Sequence, residues 1–192
     1  MKFVVLETTN LLLKGISPEH MNEIFMNYPQ EEVMLLLGHE QEEEFLNEKN
    51  KNDKGYAAYN RRFILFLLVH KESQKIIGRC GIHNWNQEHQ RAELGYVMHH
   101  EAYRNKGFMK EAISAIIEYG FTQLMLNRLE AVCSIHNMAS IRILLSFHFK
   151  QEGILRAYFN RNNSFEDALC FSLLQNAWHK STEPIKENEP SI

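Results

Sequence analysis

At 192 residues the chain has room for one large domain, and 44% hydrophobic against 23% charged residues is the balance of a protein that buries a core. A formal net charge of −3 and a pI near 6.4 argue against direct nucleic-acid binding. No apolar stretch reaches the ~20 residues that a membrane-spanning helix needs. The opening run MKFVVLETTN is broken early by acidic and polar residues and lacks a small-residue cleavage site, so a mature cytoplasmic protein is expected. Cys80, Cys133 and Cys170 are far apart and form no CxxC pair. They read as small buried hydrophobes in a reducing compartment, each in a segment with strand character.

Along the chain, residues 11–16 read as a strand. Ser17 then looks like a helix N-cap, with Pro18 at the first helical position. Two acidic, helix-prone segments follow at 31–37 and 41–51, punctuated by Gly38 and Gly55. Between residues 30 and 48 stand Glu31, Glu32, Glu40, Glu42, Glu43, Glu44 and Glu48, with no Lys or Arg. A solvated helix face explains this run, and a docking surface for a basic partner is the functional alternative.

Residues 63–70 (FILFLLVH) and 75–83 (KIIGRCGIH) read as strands joined by a KESQ hairpin turn. A third strand, 91–100, carries Glu93. Residues 107–125 repeat apolar side chains with a 3.6-residue period through Met109, Ala112, Ile113, Ile116, Ile117, Gly120 and Leu124, which predicts a helix. Residues 128–135 read as a strand, 137–147 as a second periodic helix, and Tyr158, Phe159, NRNNS and 165–174 as a closing hairpin. The order predicts an α+β domain with a mixed, largely antiparallel sheet. From Ser181 onward the sequence is polar, holds two prolines and has no apolar periodicity, so 181–192 is expected to be a disordered tail.

Chemistry concentrates where the third strand turns into the long helix. A helix start offers unpaired N–H groups and the positive end of its dipole. Gly107 admits close backbone approach, and Arg104 and Lys106 add donors suited to phosphate oxygens. His99 and His100 are neighbours, and alternation along a strand would point them to opposite faces. No HExxH or other paired spacing occurs, so no metal is expected.

Arg104-Asn105-Lys106-Gly107-Phe108-Met109 resembles the acetyl-coenzyme A loop of the GNAT acetyltransferase superfamily, Gln/Arg-x-x-Gly-x-Gly/Ala, and departs from it only at Met109. The preceding AELGYVMHHEAYRNKG is similar to the family's Glu-containing strand. NRLEAVCSIHNMAS is similar to its strand running into an Asn-x-x-Ser helix. The likeness covers residues 6–174 and is closest to the branch that includes ribosomal-protein N-acetyltransferases.

The resemblance implies a single GNAT-like domain over 1–180, with the sheet splayed around an acetyl-CoA slot and helices on both faces. It implies that Arg104, Asn105, Lys106, Gly107, Phe108 and Met109 cradle the pyrophosphate. Tyr96, Val97 and Met98 would pair by their backbone with the pantetheine arm, which requires the strand to part from 128–134. Glu93 would serve as general base, directly or through water, unless it merely orients a loop. Asn137 would bond the coenzyme's arm while capping its helix. Ser140 would donate a proton to the sulfur, unless it only bonds local backbone. Tyr96 and Trp85 are further candidates for lining the acceptor pocket.

The implied acceptor is an amine. Reference pKa values near ~8 for an α-amine and ~10.4 for lysine leave roughly a tenth of the former neutral at pH 7, against fewer than ~0.1% of the latter. A single glutamate base therefore suits a protein N-terminus. The acidic run at 30–48 would attract a basic one, such as that of a ribosomal protein. Small amines, amino acids, antibiotics and polyamines stay open, as does a non-catalytic coenzyme A-binding module. No membrane partner is expected, and a homodimer is compatible with the chain.

Overall fold

The computed structural model describes residues 3–55, 62–161 and 163–182. Strands Val4–Glu7 (β1) and Leu11–Ile16 (β2) form an opening hairpin, followed by helices Pro18–Asn27 (α1), Gln30–Leu37 (α2) and Glu42–Asp53 (α3). Strands Arg62–His70 (β3), Ile76–Asn86 (β4) and Arg91–Met98 (β5) meander to a 3₁₀ turn at Glu101–Tyr103 and helix Phe108–Thr122 (α4). Strand Arg128–Ser134 (β6), helix Met138–Ser146 (α5), strands Lys150–Arg161 (β7) and Ser164–Leu174 (β8) and helix Gln175–Thr182 (α6) complete the order. The described strands form one eight-stranded sheet, β1-β2-β3-β4-β5-β6-β8-β7. Every neighbouring pair is antiparallel except β5 and β6.

Local chemistry sets the helix ends. At α1, Ser17 Oγ accepts from His20 N at 3.4 Å, and His20 Nδ1 accepts from Ser17 N at 3.2 Å, with Pro18 at the first position. Gly38 ends α2 in the left-handed region (φ 69°), a conformation that costs L-residues energy.

The wholly apolar run of β3 is explained by cover on both faces. Phe66 and Leu68 join Ile113, Ile116, Ile117 and Phe121 of α4 in the larger core, while Leu67 packs with Met21 and Ile24 of α1 and Leu37 of α2 in a smaller one. Each such fully buried side chain contributes about 1.5–3 kcal/mol. Helices therefore lie on both faces, as the sequence predicts.

Several boundaries differ from expectation. β1 and the first half of β7 lie at the two edges of the sheet, where exposed Val4, Val5 and Ile154 blur the alternation that marks a strand. α6 is fixed by tertiary contact, the Trp178 ring lying 5.4 Å from that of Phe121. β5 ends at Met98, so strand alternation does not govern His99 and His100, whose ring centroids lie 6.4 Å apart. The predicted tail from Ser181 begins inside α6, and from residue 183 it lies outside the described residues.

His39 is 7% exposed, and neither ring nitrogen has a hydrogen-bond partner. Burial first, then Arg79, push its pKa down from 6.5 to about 4, with Glu48 and Glu44 opposing and His99 adding to the fall. Between those values the unfolded chain binds a proton that the folded one does not, so stability falls as pH drops from about 6.5 toward 4. Burial also lowers the pKa of His99, so urea unfolding across that range should show proton uptake from both histidines, and His39→Leu should reduce the slope without abolishing it.

Candidate active site at the splayed strands

β5 and β6 pair in parallel at only three positions, Arg91 with Arg128, Ala92 with Leu129 and Glu93 with Glu130. Beyond Glu93, residues 94–98 pair only with β4, and residues 131–134 only with β8. The strands part as the sequence resemblance requires. The β6-facing backbone edge of residues 94–98 is left without a strand partner.

A cavity of about 140 Å³ fills the cleft, lined among others by Gly95, Tyr96, Cys133, Asn137 and Ser140. A larger one of about 390 Å³ opens on the α1–α3 face, bounded by Glu48, Lys51, Arg79 and His83. Gly95 and Tyr96 line both. That stretch of β5 is therefore a wall common to both.

Alternation along β5 sends Ala92, Leu94, Tyr96 and Met98 toward the larger core, and Glu93, Gly95 and Val97 to the opposite face. Glu93 Oε2 accepts from Asn84 Nδ2 at 2.8 Å and lies 3.7 Å from His83 Nδ1. Its neighbour Glu130 is held separately by Arg128 at 2.8 Å and Arg91 at 3.4 Å, which relieves the repulsion between two adjacent carboxylates. The imidazole of His83 lies over Gly95, where an added Cβ would stand 2.7 Å from Nε2. Tyr158 reaches the same place through a bulge in β7, where Ala157 takes φ 51° and its N–H donates to Asp167 Oδ1 at 2.8 Å. Burial first, then the nearby Glu93 and Cys170, raise the Tyr158 phenol above its ordinary pKa.

Sequence reasoning missed His83 and Tyr158, because only cross-strand register brings them to Glu93. It also read Glu48 as part of a solvated face. Glu48 is instead buried, with Arg79 and Lys51 each 3.6 Å away. Trp85 belongs to the α4 face, packed against the larger core, and does not line the acceptor-side cavity.

At the other end of the cleft, Arg104 N donates to Glu101 O at 2.9 Å, and left-handed Asn105 (φ 58°) and Gly107 (φ 86°) curl the chain into α4. Gly107 is the N-cap, and no capping side chain bonds the helix start, so its first N–H groups face the loop. Arg104 and Lys106 are exposed. Phe108 packs 5.0 Å from the His70 ring, and Met109, already inside the helix, packs against the larger core. The unusual methionine thus sits where a side chain has apolar neighbours. Glu111, in the first turn of α4, is directed to the opening hairpin, where its carboxylate accepts from Asn10 N at 2.6 Å and Asn10 Nδ2 at 2.9 Å.

On the β6 side, Asn137 Oδ1 accepts from Ser140 N at 3.1 Å and caps α5. Both side chains stand at the cleft with Tyr96. Val97 is exposed and Met98 half-buried, so what they offer the cleft is backbone. All three cysteines are free, Cys80 and Cys133 buried and Cys170 partly so, each with burial raising its thiol pKa.

The family model for an acetyltransferase (GNAT) domain matches residues 10–150, well over half the chain. The chain belongs to the GNAT acetyltransferase family. An uncharacterized N-acetyltransferase of Bacillus subtilis, YoaA, is 34% identical over 174 residues, covering 90% of this chain and 98% of that one. The ribosomal-protein-S5-alanine acetyltransferase of Vibrio fischeri superposes with a TM-score of 0.66 at 20% identity, covering 91% and 98% of the two chains. The spermidine/spermine N-acetyltransferase SpeG of Vibrio cholerae superposes with a TM-score of 0.68 at 20% identity, covering 91% and 99%. At such identities the two structures share the fold, the single GNAT-type α+β domain described above. The protein is an acetyl-CoA-dependent N-acetyltransferase, and its family acts on amine acceptors. Among the described residues no helix is long and apolar enough to cross a membrane.

A Cβ at Gly107 would meet nothing within 4 Å, so the glycine answers to backbone conformation and not to space. Gly107→Ala should therefore cost about 1–2 kcal/mol, read as a lower urea midpoint. Gly107→Asn should cost less, since asparagine tolerates left-handed backbone.

Proposed function

We propose that the enzyme acetylates the α-amine of a basic polypeptide N-terminus, with Glu93 as the general base. The observation that carries this reading is that Gly95 and Tyr96, just after Glu93 on β5, line both cavities. One is a cleft with an unpaired strand edge suited to a coenzyme's amide-rich arm. The other is an acceptor-side chamber lined on its helical side by Met21 of α1 and by Glu48 and Lys51 of α3.

Acetyl-CoA fits the cleft by the chemistry of its walls, and it supplies the activated acyl thioester. The uncapped start of α4, with Arg104 and Lys106 beside it, suits the pyrophosphate, and Asn105, Phe108 and Met109 contribute backbone there. The backbone of Tyr96, Val97 and Met98, with the Asn137 side chain, suits the pantetheine amides. Glu93 holds the position to take the amine's proton, directly or through one water, while Asn84 and His83 fix its carboxylate. Ser140 stands at the sulfur end of the cleft.

Charge decides between acceptors. Glu42–Glu44 are exposed at the start of α3, whose Glu48 and Lys51 line the chamber, and Glu31 and Glu32 are exposed on the neighbouring α2, so a cation is attracted to this side of the molecule. Among the described residues, the chamber itself holds Lys51 and Arg79 against the single acid Glu48. An acceptor positive throughout, such as a polyamine, is disfavoured inside. A peptide with one reacting amine and basic residues further along its chain satisfies both zones. On this reading residues 1–180 form the transferase domain and 181–192 a tail. The three free cysteines suit a reducing cytoplasm.

A thiol-release assay with acetyl-CoA across basic peptides, neutral peptides, spermidine and free amino acids should show turnover highest with basic peptides. Preference for spermidine would overturn the assignment. Glu93→Gln should lower kcat by about 10²-fold with acetyl-CoA affinity retained. Reversing charge at Glu42, Glu43 and Glu44 together should raise KM for basic peptides severalfold and leave kcat unchanged. High salt should shrink that difference.

A further inference from the structure

His83 and Asn84 are consecutive residues of β4, and regular alternation would turn them to opposite faces of the sheet. Instead both approach one carboxylate. Asn84 Nδ2 donates to Glu93 Oε2 at 2.8 Å, and His83 Nδ1 lies 3.7 Å from the same oxygen. The device is a register shift in the β4–β5 ladder between His83 and Asn86, with Asn84 held in the left-handed region at φ 48°. Such backbone costs energy and persists where the surroundings enforce it, most often at functional sites. A second feature serves the same ring. A Cβ at Gly95 would stand 2.7 Å from His83 Nε2 and 3.2 Å from Cδ2, and its three nearest neighbours would all be His83 atoms. The missing side chain of residue 95 thus gives the imidazole its place. The His83 side chain is 44% exposed and that of Glu93 only 20%. Among the described residues that line the acceptor-side chamber, His83 and Gly95 are present and Glu93 is not. An amine in the chamber therefore meets the imidazole before the carboxylate.

We propose that His83 carries the acceptor's proton to Glu93, so that the base of this enzyme is an imidazole–carboxylate pair and His83 is a catalytic residue. This rests on the assignment of Glu93 as base made above. In the resting ring the proton sits on Nδ1, toward Glu93, and the Nε2 lone pair is turned to the acceptor. As the amine nitrogen bonds to the acetyl carbon, its surplus proton passes to Nε2 while the Nδ1 proton passes to Glu93 Oε2. Catalytic hydrogen bonds are often long before substrate is bound and tighten with it, and the 3.7 Å separation closes to about 3 Å in that step. The carbon–sulfur bond breaks with its electron pair kept by sulfur, and the coenzyme A thiolate leaves as such or takes a proton from water. Glu93 then returns its proton to Nδ1, and Nε2 gives one to water in the open chamber. One proton reaches solvent for each acetyl group transferred, and the pair is restored. Asn84, which bonds Glu93 and not the acceptor, is a positioning residue.

In the thiol-release assay with a basic peptide, His83→Ala should lower kcat by about 10²-fold while acetyl-CoA binding stays as in the wild type, which also reports an intact fold. Added imidazole should restore activity to His83→Ala. It should do nothing for His83→Gln, whose side chain fills the space without a base, or for Glu93→Gln, which lacks the end of the relay. Gly95→Ala should lower kcat by displacing the ring, and the same change made in His83→Ala should cost nothing further. NMR of the ring nitrogens gives a readout independent of turnover, since the neutral His83 ring of the resting protein should carry its proton on Nδ1. Full activity in His83→Ala, a loss that imidazole does not restore, or a neutral ring protonated on Nε2 would overturn the relay and leave Glu93 as base. Full activity in Glu93→Gln would overturn both.

Discussion

Everything functional in this molecule depends on a parallel strand pair that stops after three residues. β5 and β6 are each secured on their far side, β5 by antiparallel β4 and β6 by antiparallel β8. They can therefore diverge without either strand losing its place. The base of the divergence is pinned by backbone bonds from Asn127 and Arg128 to Gln90 O, at 2.7 and 3.1 Å. Arg128 braces the β6 side through Glu130 and Glu152. A sheet normally satisfies its backbone internally. Here it withholds one edge, and the withheld groups stay open to a partner.

The same divergence assigns opposite jobs to alternate residues of β5. Glu93 and Gly95 lie on the face toward helices α1–α3, while Tyr96 turns the other way, against the larger core. The period of two that places alternate side chains on opposite faces is what keeps them from interfering. Gly95 between them leaves room for His83.

Electrostatics is layered in a comparable way. The outer surface of α2 and α3 is acidic, the chamber carries Lys51 and Arg79 with Glu48, and the start of α4 is cationic around Arg104 and Lys106. Glu111, the one acid in the first turn of α4, is engaged by Asn10 from the opening hairpin. Buried Tyr96 and His39 both have pKa values moved toward their neutral forms, Tyr96 up and His39 down, because burial penalises charge of either sign.

The sequence by itself determined the elements that carry strong local signals. The 3.6-residue period of α4, the Ser17–Pro18 start of α1, the apolar β3 and β4 with their KESQ turn, and the Arg104–Met109 loop each depend on neighbours within a few residues. The loop's place between Glu93 and Asn137 was legible for the same reason, since order and spacing along the chain are enough to see it. Tertiary structure alone decided the edge strand β1, the polar opening of β7, the helix around Trp178 and the burial of Glu48 against Arg79. It also brought His83 and Tyr158 to Glu93 and left the Tyr96 hydroxyl without a partner. Those outcomes depend on cross-strand register and on which face of the sheet a helix covers. Both are set by contacts between residues far apart in the chain, which no local pattern records.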